Sequence, residues 1–295
     1  MAGADVTDPS DSDSVVVLTG ATSGIGRVAA TDLASRGATV AAIGRNRDRG
    51  ERLADRSSDL AGTIRFHRAD LATQRAVRDL ATDLLDSYDR IDVLAHNAGL
   101  SAGTRGETPD GIERTLAVNH LAPYLLTHEL LDRLVETPPS RIVVTASDIH
   151  RRATLDFDDL QFTSEYDSLQ AYARSKLANI AFTLELADRL SGTQVTANCF
   201  HPGFVPSTNL FREAPLRTRL AVRAAALVPG VGTTQQDGAD RLLRLATAPE
   251  YETQTGQYVG GDGPLTPDEE ARDQGVRDRL WAVSADLVGV DSDWP

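Results

Sequence analysis

Near its start the chain has a short apolar run that leads into a glycine-rich turn and then into a helical pattern. The run is Val15-Val16-Val17-Leu18, and such a β-branched stretch is typical of a parallel strand buried on both faces. The turn reads Thr19-Gly20-Ala21-Thr22-Ser23-Gly24-Ile25-Gly26, and the helical pattern continues to about Arg36. Glycines let the backbone approach a pyrophosphate, and a helix N-terminus offers N–H donors and a positive dipole. This order of elements predicts a nucleotide-binding turn rather than an ordinary tight turn.

The alternation of strand and helix continues along the chain. Further strands are predicted over 39–43, 63–67, 91–95, 141–145, 194–200 and 257–259. Helices are predicted over 48–60, 73–87, 111–136 and 266–287, and a further helix that contains residues 172–176 is predicted to end at about residue 190. Because no break divides the pattern, we predict the α/β class: one doubly wound Rossmann domain over 15–295, with about seven parallel strands flanked by helices. Residues 1–14 are polar and acidic and are predicted to be a disordered lead-in.

The residues expected to contact a nucleotide follow the strand ends, where open α/β sheets bind their ligands. They are Thr19, Gly20, Thr22, Ser23, Gly24, Ile25 and Gly26 of the turn, then Arg45, Asn46, Asp70, Leu71, Asn97, Ala98 and Gly99, and finally Pro202, Gly203, Val205 and Ser207. An acid at the end of the second strand would repel a 2′-phosphate, whereas Arg45 can bind it through charge-assisted hydrogen bonds. We therefore predict NADP(H) as the cofactor. The alternative is a solvated arginine at a strand end, which could describe Arg47.

Lys176 is the only lysine in the chain, and it stands four residues after Tyr172. Positions i and i+4 of a helix lie on the same face, so the phenol and the ammonium can point into one cleft. A nearby cation stabilises phenolate and lowers a tyrosine pKa from about 10 toward the range of a general acid/base. The pair therefore indicates an acid/base site. The alternative is a surface Tyr and Lys on an amphipathic helix.

Taken in order, these motifs resemble the short-chain dehydrogenase/reductase family over roughly residues 15–259. The resemblance rests on the turn, Asp70, Asn97-Ala98-Gly99, Asn119, Ser147, Tyr172, Lys176 and Pro202-Gly203. Further stretches resemble the retinol-dehydrogenase-like branch, which commonly uses NADP(H) on lipophilic alcohols and carbonyls. These stretches are Val118-Asn119-His120-Leu121, Ser175-Lys176-Leu177-Ala178-Asn179, His201-Pro202-Gly203 and the tail around Arg279-Leu280-Trp281.

The resemblance implies a catalytic tetrad of Asn119, Ser147, Tyr172 and Lys176. Tyr172 would give a proton to the carbonyl oxygen in reduction and take it back in oxidation. Ser147 would bond and position the same oxygen, Lys176 would hold the ribose, and Asn119 would hold a water that relays protons. The implied activity is that of an NADP(H)-dependent alcohol dehydrogenase or carbonyl reductase, EC 1.1.1.-, acting on a small molecule.

Three departures from the family pattern are visible. His96 stands where the family usually has Asn, for which we expect a small effect. Ala146 precedes Ser147 where the branch often has a second serine. The branch often has an N-terminal membrane anchor, and no apolar run of about 18 residues occurs here. We therefore expect a cytoplasmic enzyme without a stable anchor, and relatives suggest a homo-oligomer by analogy.

Charge and composition exclude several classes of partner. The net charge of −13 argues against nucleic-acid binding. The single cysteine, Cys199, excludes an intramolecular disulfide, and the six histidines fall on separate elements, so no metal site is predicted. The acidic composition and the use of Arg in place of Lys are typical of a GC-rich genome, of a salt-adapted host, or of both.

Two segments are expected to shape the substrate cleft. Residues 148–171 form an insertion that lines one side of the cleft or, alternatively, a surface loop with its own small cluster. Residues 209–231 form a mobile lid or, alternatively, an interfacial helix. Two other functions stay open: a catalytically inactive nucleotide-sensing protein with the same fold, and a nucleotide-sugar epimerase or dehydratase. The intact tetrad disfavours the first, and the glycine spacing disfavours the second.

Overall fold

The computed structural model describes residues 13–207 and 232–295 of the chain. Nearly all of the expected lead-in over 1–14, and the whole of the expected lid over 209–231, lie outside the described residues.

One sheet of eight strands forms the centre of the described molecule. The strands are β1 (Val15–Thr19), β2 (Thr39–Gly44), β3 (Thr63–Arg68), β4 (Val93–His96), β5 (Ser140–Thr145), β6 (Val195–Phe200), β7 (Tyr258–Val259) and β8 (Pro264–Leu265). Their spatial order is β3-β2-β1-β4-β5-β6-β7-β8, and only the two-residue β8 pairs antiparallel. The doubly wound parallel sheet is thereby confirmed, with one short strand more than predicted.

Helices and helical turns connect the strands. The helices are α1 (Gly24–Ser35), α2 (Arg47–Asp55), α3 (Gln74–Ser87), α4 (Arg114–Leu116), α5 (Ala122–Val135), α6 (Ser168–Arg189), α7 (Gln235–Thr247), α8 (Glu269–Arg272) and α9 (Gln274–Val288). A π-helical turn, Ala117–Leu121, joins α4 to α5, and a 3₁₀ turn, Asp148–Arg152, follows β5. None of the described helices is both long enough and apolar enough to cross a bilayer.

The two faces of the sheet bury separate cores. Val15 and Val17 of β1 pack on one side with apolar residues of α3, α5, α6 and α9. Val16 and Leu18 pack on the other side with residues of α1 and α7. Successive side chains of a strand point to opposite faces, so an unbroken apolar run such as 15–18 can fill both cores at once.

The predicted helix over 266–287 is wrong in one respect, because it is two helices. Asp273 separates α8 from α9, and its carboxylate accepts a hydrogen bond of 2.9 Å from the Val276 N–H. Asp268 caps α8 in the same way through the Glu270 N–H. Two N-capping aspartates five residues apart make two separate starts of helix more favourable than one continuous helix.

Candidate active site

A cavity of about 1000 Å³ opens at the carboxyl ends of the strands, where the strand order reverses between β1 and β4. The glycine-rich turn after β1 meets the end of β4 closely. The Asn97 amide donates to the Thr19 carbonyl at 3.1 Å, and a Cβ on Gly20 would lie 2.9 Å from the Ala98 Cα. Gly20 also has φ +70, a backbone conformation that other residues rarely adopt. The turn therefore has its shape because glycine stands at position 20.

Most of the predicted site residues line this one cavity. They are Gly20, Thr22, Ser23, Gly24, Ile25, Arg45, Asn46, Asp70, Leu71, Asn97, Ala98, Gly99, Ser147, Tyr172, Lys176, Pro202, Gly203 and Val205. They come from six separate strand ends and from α6, so the topology of the sheet brings them together.

Three residues predicted to touch a cofactor lie outside the lining. Thr19 is buried below the cavity, and its hydroxyl accepts from the Asn97 and Ala98 N–H groups, both at 3.0 Å. A Cβ on Gly26 would lie 2.5 Å from the Asn97 amide nitrogen, so Gly26 is needed for close packing. The exposed Ser207 bonds Gln235 at 3.3 Å. Thr19 and Gly26 thus support the floor of the cavity without lining it. The spacing of the motif alone does not tell a residue that would contact the cofactor from one that packs beneath it.

Asn119 lies in the π-helical turn and is fully buried. Its amide nitrogen donates to the Leu100 carbonyl and to the Ser175 hydroxyl, both at 2.9 Å, and its oxygen accepts from the Leu100 N–H at 2.9 Å. Both N–H groups of the side chain are therefore engaged. A water held by this side chain would have to donate to the second lone pair of Oδ1.

Tyr172 and Lys176 point from one face of α6 into the cavity. Asp167 is the N-cap of this helix, and its carboxylate accepts from the Leu169 and Gln170 N–H groups, both at 2.8 Å. The Lys176 Nζ lies 5.7 Å from the centre of the Tyr172 ring and donates to the Thr145 carbonyl at 2.7 Å. The i, i+4 spacing thus places the ammonium on the same side of the helix as the phenol ring.

Burial dominates the electrostatics of these groups. It raises the pKa of Tyr172 above its usual value near 10, and a hydrogen bond with Ser147 lowers that pKa by a smaller amount. Burial also lowers the pKa of Lys176 to about 8. The lowered phenol pKa expected from the neighbouring Lys176 is therefore not found in this structure, because burial raises the pKa of Tyr172. At neutral pH the phenol is protonated and can donate.

Basic residues surround the opposite end of the cavity, beyond β2. Asn46 caps α2 by accepting from the Arg49 N–H at 2.9 Å, which brings Arg49 into the cavity wall beside Arg45. Sequence reasoning missed Arg49, although an N-cap at position 46 indicates that residue 49 lies in the first turn of the helix. Arg47 does not line the cavity and lies 3.9 Å from Glu51. Arg45 and Asp70 are 4.0 Å apart and both largely exposed.

The start of α1 forms part of the cavity wall. Thr22, Ser23 and Gly24 line the cavity, and Ser23 makes no side-chain cap for the helix. The first N–H groups of α1 are therefore free of a capping side chain, and such groups bind phosphate. Within residues 13–207 and 232–295, no group of three or more His, Cys, Asp or Glu side chains could hold a metal ion.

A family model described as short chain dehydrogenase matches residues 14–218, more than half of the chain. The chain belongs to the short-chain dehydrogenase/reductase family. The resemblance seen in the motifs is thereby confirmed. The nicotinamide cofactor of this oxidoreductase family carries phosphate groups, and the uncapped N–H groups at the start of α1 are of the kind that bind phosphate.

Individual relatives of this dehydrogenase point to one branch of the family. The chain is 41% identical to bovine dehydrogenase/reductase SDR family member 13, covering 93% of the chain and 73% of the relative. It is 37% identical to human retinol dehydrogenase 14, covering 93% and 86%. A short chain dehydrogenase from Escherichia coli CFT073 complexed with NADPH superposes with a TM-score of 0.66, at 26% identity over 84% of this chain and 96% of that one. The dehydrogenase is thus retinol-dehydrogenase-like.

The wall around Tyr172 in this dehydrogenase is largely apolar. Leu100, Ser101, Val118 and Phe204, which were not predicted, line it together with four residues of the expected insertion over 148–171. Many of them adjoin a predicted site residue in sequence, and that adjacency was the available signal. Of the expected insertion over 148–171, Asp148, Ile149, Arg152 and Leu169 line the cavity, whereas Leu155 and Leu160 are buried in the main core.

Proposed function

We propose that this dehydrogenase transfers hydride between NADP(H) and a lipophilic alcohol, aldehyde or ketone, with Tyr172 as the general acid/base. One observation carries the proposal. The Tyr172 phenol is protonated, hydrogen-bonded to Ser147 and close to the Lys176 ammonium. It lies in a cavity that has arginines at one end and apolar side chains at the other.

The bound nicotinamide would supply or accept the hydride. Tyr172 donates its proton to a carbonyl oxygen in reduction and accepts a proton from a hydroxyl in oxidation. The Ser147 hydroxyl, bonded to the phenol, orients the same oxygen. The Lys176 ammonium has two further N–H groups beyond its hydrogen bond to the Thr145 carbonyl, and these would hold a ribose.

Arg45 and Arg49 support NADP(H) over NAD(H). Two guanidinium groups at the end of β2 can bind a 2′-phosphate through paired, charge-assisted hydrogen bonds. Asp70 stands 4.0 Å from Arg45 but is largely exposed, so solvent screens its repulsion of a phosphate. The related E. coli dehydrogenase complexed with NADPH is consistent with this preference.

The apolar wall supports a lipophilic substrate. Leu169 and Phe204 are 40% exposed each, and both line the cavity. An apolar ligand that covers such side chains removes apolar surface from water, and this lowers the free energy of binding. The name of the human relative, retinol dehydrogenase 14, is in keeping with a ligand of this kind.

The proposal is tested by following the nicotinamide absorbance with NADPH and with NADH, against octanal, all-trans-retinal and a long-chain ketone, in low and molar salt. We expect consumption of NADPH that is faster with the apolar carbonyls than with acetaldehyde. Equal rates with NADH would contradict the cofactor preference. Tight NADPH binding by calorimetry without turnover of any carbonyl would favour the nucleotide-sensing alternative instead.

A further inference from the structure

His150 is completely buried three residues after Ser147, and its imidazole bridges two backbone groups. Its Nδ1 lies 2.9 Å from the Ser147 carbonyl oxygen, and its Nε2 accepts a hydrogen bond of 3.1 Å from the Asp268 N–H. A carbonyl can only accept and a backbone N–H can only donate. The proton of the imidazole must therefore be on Nδ1, and both ring nitrogens are used by one neutral tautomer.

The surroundings of the ring keep it in this state. The Tyr258 ring packs edge-to-face on the imidazole at 5.3 Å, and the His201 ring lies 6.1 Å from that tyrosine ring. The charged groups facing the imidazole are Asp148, Arg151 and Asp268. Burial is the largest effect and lowers the pKa of His150. The imidazole thus keeps one donor for Ser147 and one acceptor for Asp268.

Ser147 is held by the same residue twice. The His150 backbone N–H also donates to the Ser147 carbonyl, at 3.1 Å. Ser147 is extended, with φ −164 and ψ 146, and ψ sets the direction of the carbonyl relative to the side chain. Two donors therefore hold the Ser147 carbonyl in one direction, and this limits the ψ angle of Ser147. The backbone from which the hydroxyl extends toward Tyr172 is thereby held in one orientation.

We propose that His150 is a positioning residue for Ser147: its Nδ1–H holds the Ser147 carbonyl so that the serine hydroxyl stays aimed at Tyr172, and its Nε2 also accepts from the segment before α8. This inference rests on the role given to Ser147 in the proposed function. The histidine does not touch the substrate. It acts through the Ser147 carbonyl, and it links the reaction centre to residue 268, which is 121 positions away in the chain.

Two variants separate the two ends of the bridge. In His150→Asn the amide N–H takes the place of the Nδ1 donor, so the hydrogen bond to the Ser147 carbonyl is kept and the one from the Asp268 N–H is lost. In His150→Gln the amide oxygen takes the place of Nε2, so the hydrogen bond from the Asp268 N–H is kept and the one to the Ser147 carbonyl is lost. With the fastest carbonyl of the panel above, we expect His150→Asn to keep most of kcat and His150→Gln to lose about 10- to 100-fold, as misplacement of a reacting group does. The KM for NADPH should stay unchanged in both. Equal kcat losses in both variants would overturn the inference.

A double-mutant cycle with Ser147→Ala distinguishes this inference from the proposed function. If His150 acts through Ser147, adding His150→Gln to Ser147→Ala should lower kcat little further. An unchanged kcat in Ser147→Ala alone would contradict the role of Ser147 itself. A large loss in Ser147→Ala with full activity in His150→Gln would contradict only the role of His150. Crystal structures of both His150 variants give a readout independent of turnover, and an unmoved Ser147 hydroxyl in His150→Gln would refute the inference.

Discussion

Lys176 combines a charge with nearly complete burial, its exposed fraction being 2%. A buried polar atom near it, Thr145 Oγ1, has no hydrogen-bond partner among the described residues. The Asn179 amide nitrogen shares the Thr145 carbonyl with Lys176, at 3.3 Å. Buried polar groups without partners are costly, so this corner is suited to receive a hydroxyl-bearing ligand or a water.

Tyr172→Phe should lower kcat by at least about 100-fold, since it removes the proton donor and leaves the ring. The dissociation constant for NADPH should change little. Stopped-flow reduction of octanal and calorimetric NADPH titration measure the two quantities. Tyr88→Phe is the matched control, because it loses a bond of 2.8 Å to His67 away from the cavity lining. Comparable activity in both variants would contradict the role of Tyr172.

Arg45→Asp should reverse or abolish the preference for NADPH, because a carboxylate repels a 2′-phosphate. We expect the ratio of kcat/KM for NADPH over NADH to fall by about 10- to 100-fold, the worth of a charge-assisted bond. Arg47→Asp makes the same charge change two residues away, outside the cavity lining, and should leave the ratio nearly unchanged. Equal effects of the two variants would indicate a general field rather than a phosphate contact.

Burial lowers the pKa of His96 to about 3 and that of His120 to about 4. Both folded-state values lie below the unfolded value near 6.5, so the unfolded chain takes up these protons first as the pH falls. The free energy of unfolding should therefore drop below about pH 6.5, and by about 2 kcal/mol per histidine at pH 5. Urea unfolding should show a smaller acid loss in His96→Asn than in the wild type. The same acid loss in both would refute the assignment to His96.

At the scale of elements, the strands were predictable and several details of the helices were not. An apolar run such as residues 15–18 leaves few alternatives, and strand ends in a parallel sheet must share one edge. The π-helical turn at Ala117–Leu121 has no such signal, because it depends on Asn119 bonding Leu100 and Ser175 across the fold. Thr19 matches the family motif yet lies beneath the cavity, since the pattern gives position in the chain and not depth.

The cap of α6 should contribute to stability because it starts the helix that holds Tyr172 and Lys176. Asp167→Ala removes the acceptor of two N–H groups and should lower the free energy of unfolding by about 1 kcal/mol. Asp167→Asn keeps an acceptor oxygen and should lose much less. Urea unfolding of the three proteins tests this order. A loss in Asp167→Asn as large as in Asp167→Ala would point to charge rather than capping.

At the scale of the molecule, carboxylates outnumber basic groups and the net charge is −13. Repulsion of this kind destabilises a compact state and is screened by salt within a few ångströms at molar concentration. The thermal midpoint should therefore rise between low and molar NaCl at pH 7.5. The gain should nearly vanish close to the isoelectric point of about 4.9, where the net charge is small. An equal gain at both pH values would indicate a solvent effect instead of screening.

The single, buried lysine also determines how this protein responds to amine-directed chemistry. Acylating reagents modify exposed ε-amino groups, and the only ε-amino group here lies in the cavity wall. A reagent such as an N-hydroxysuccinimide ester must therefore enter the cavity to reach it. The rate of acylation at Lys176, measured by mass spectrometry on the wild-type protein, then reports whether the cavity is occupied. No engineered label is needed.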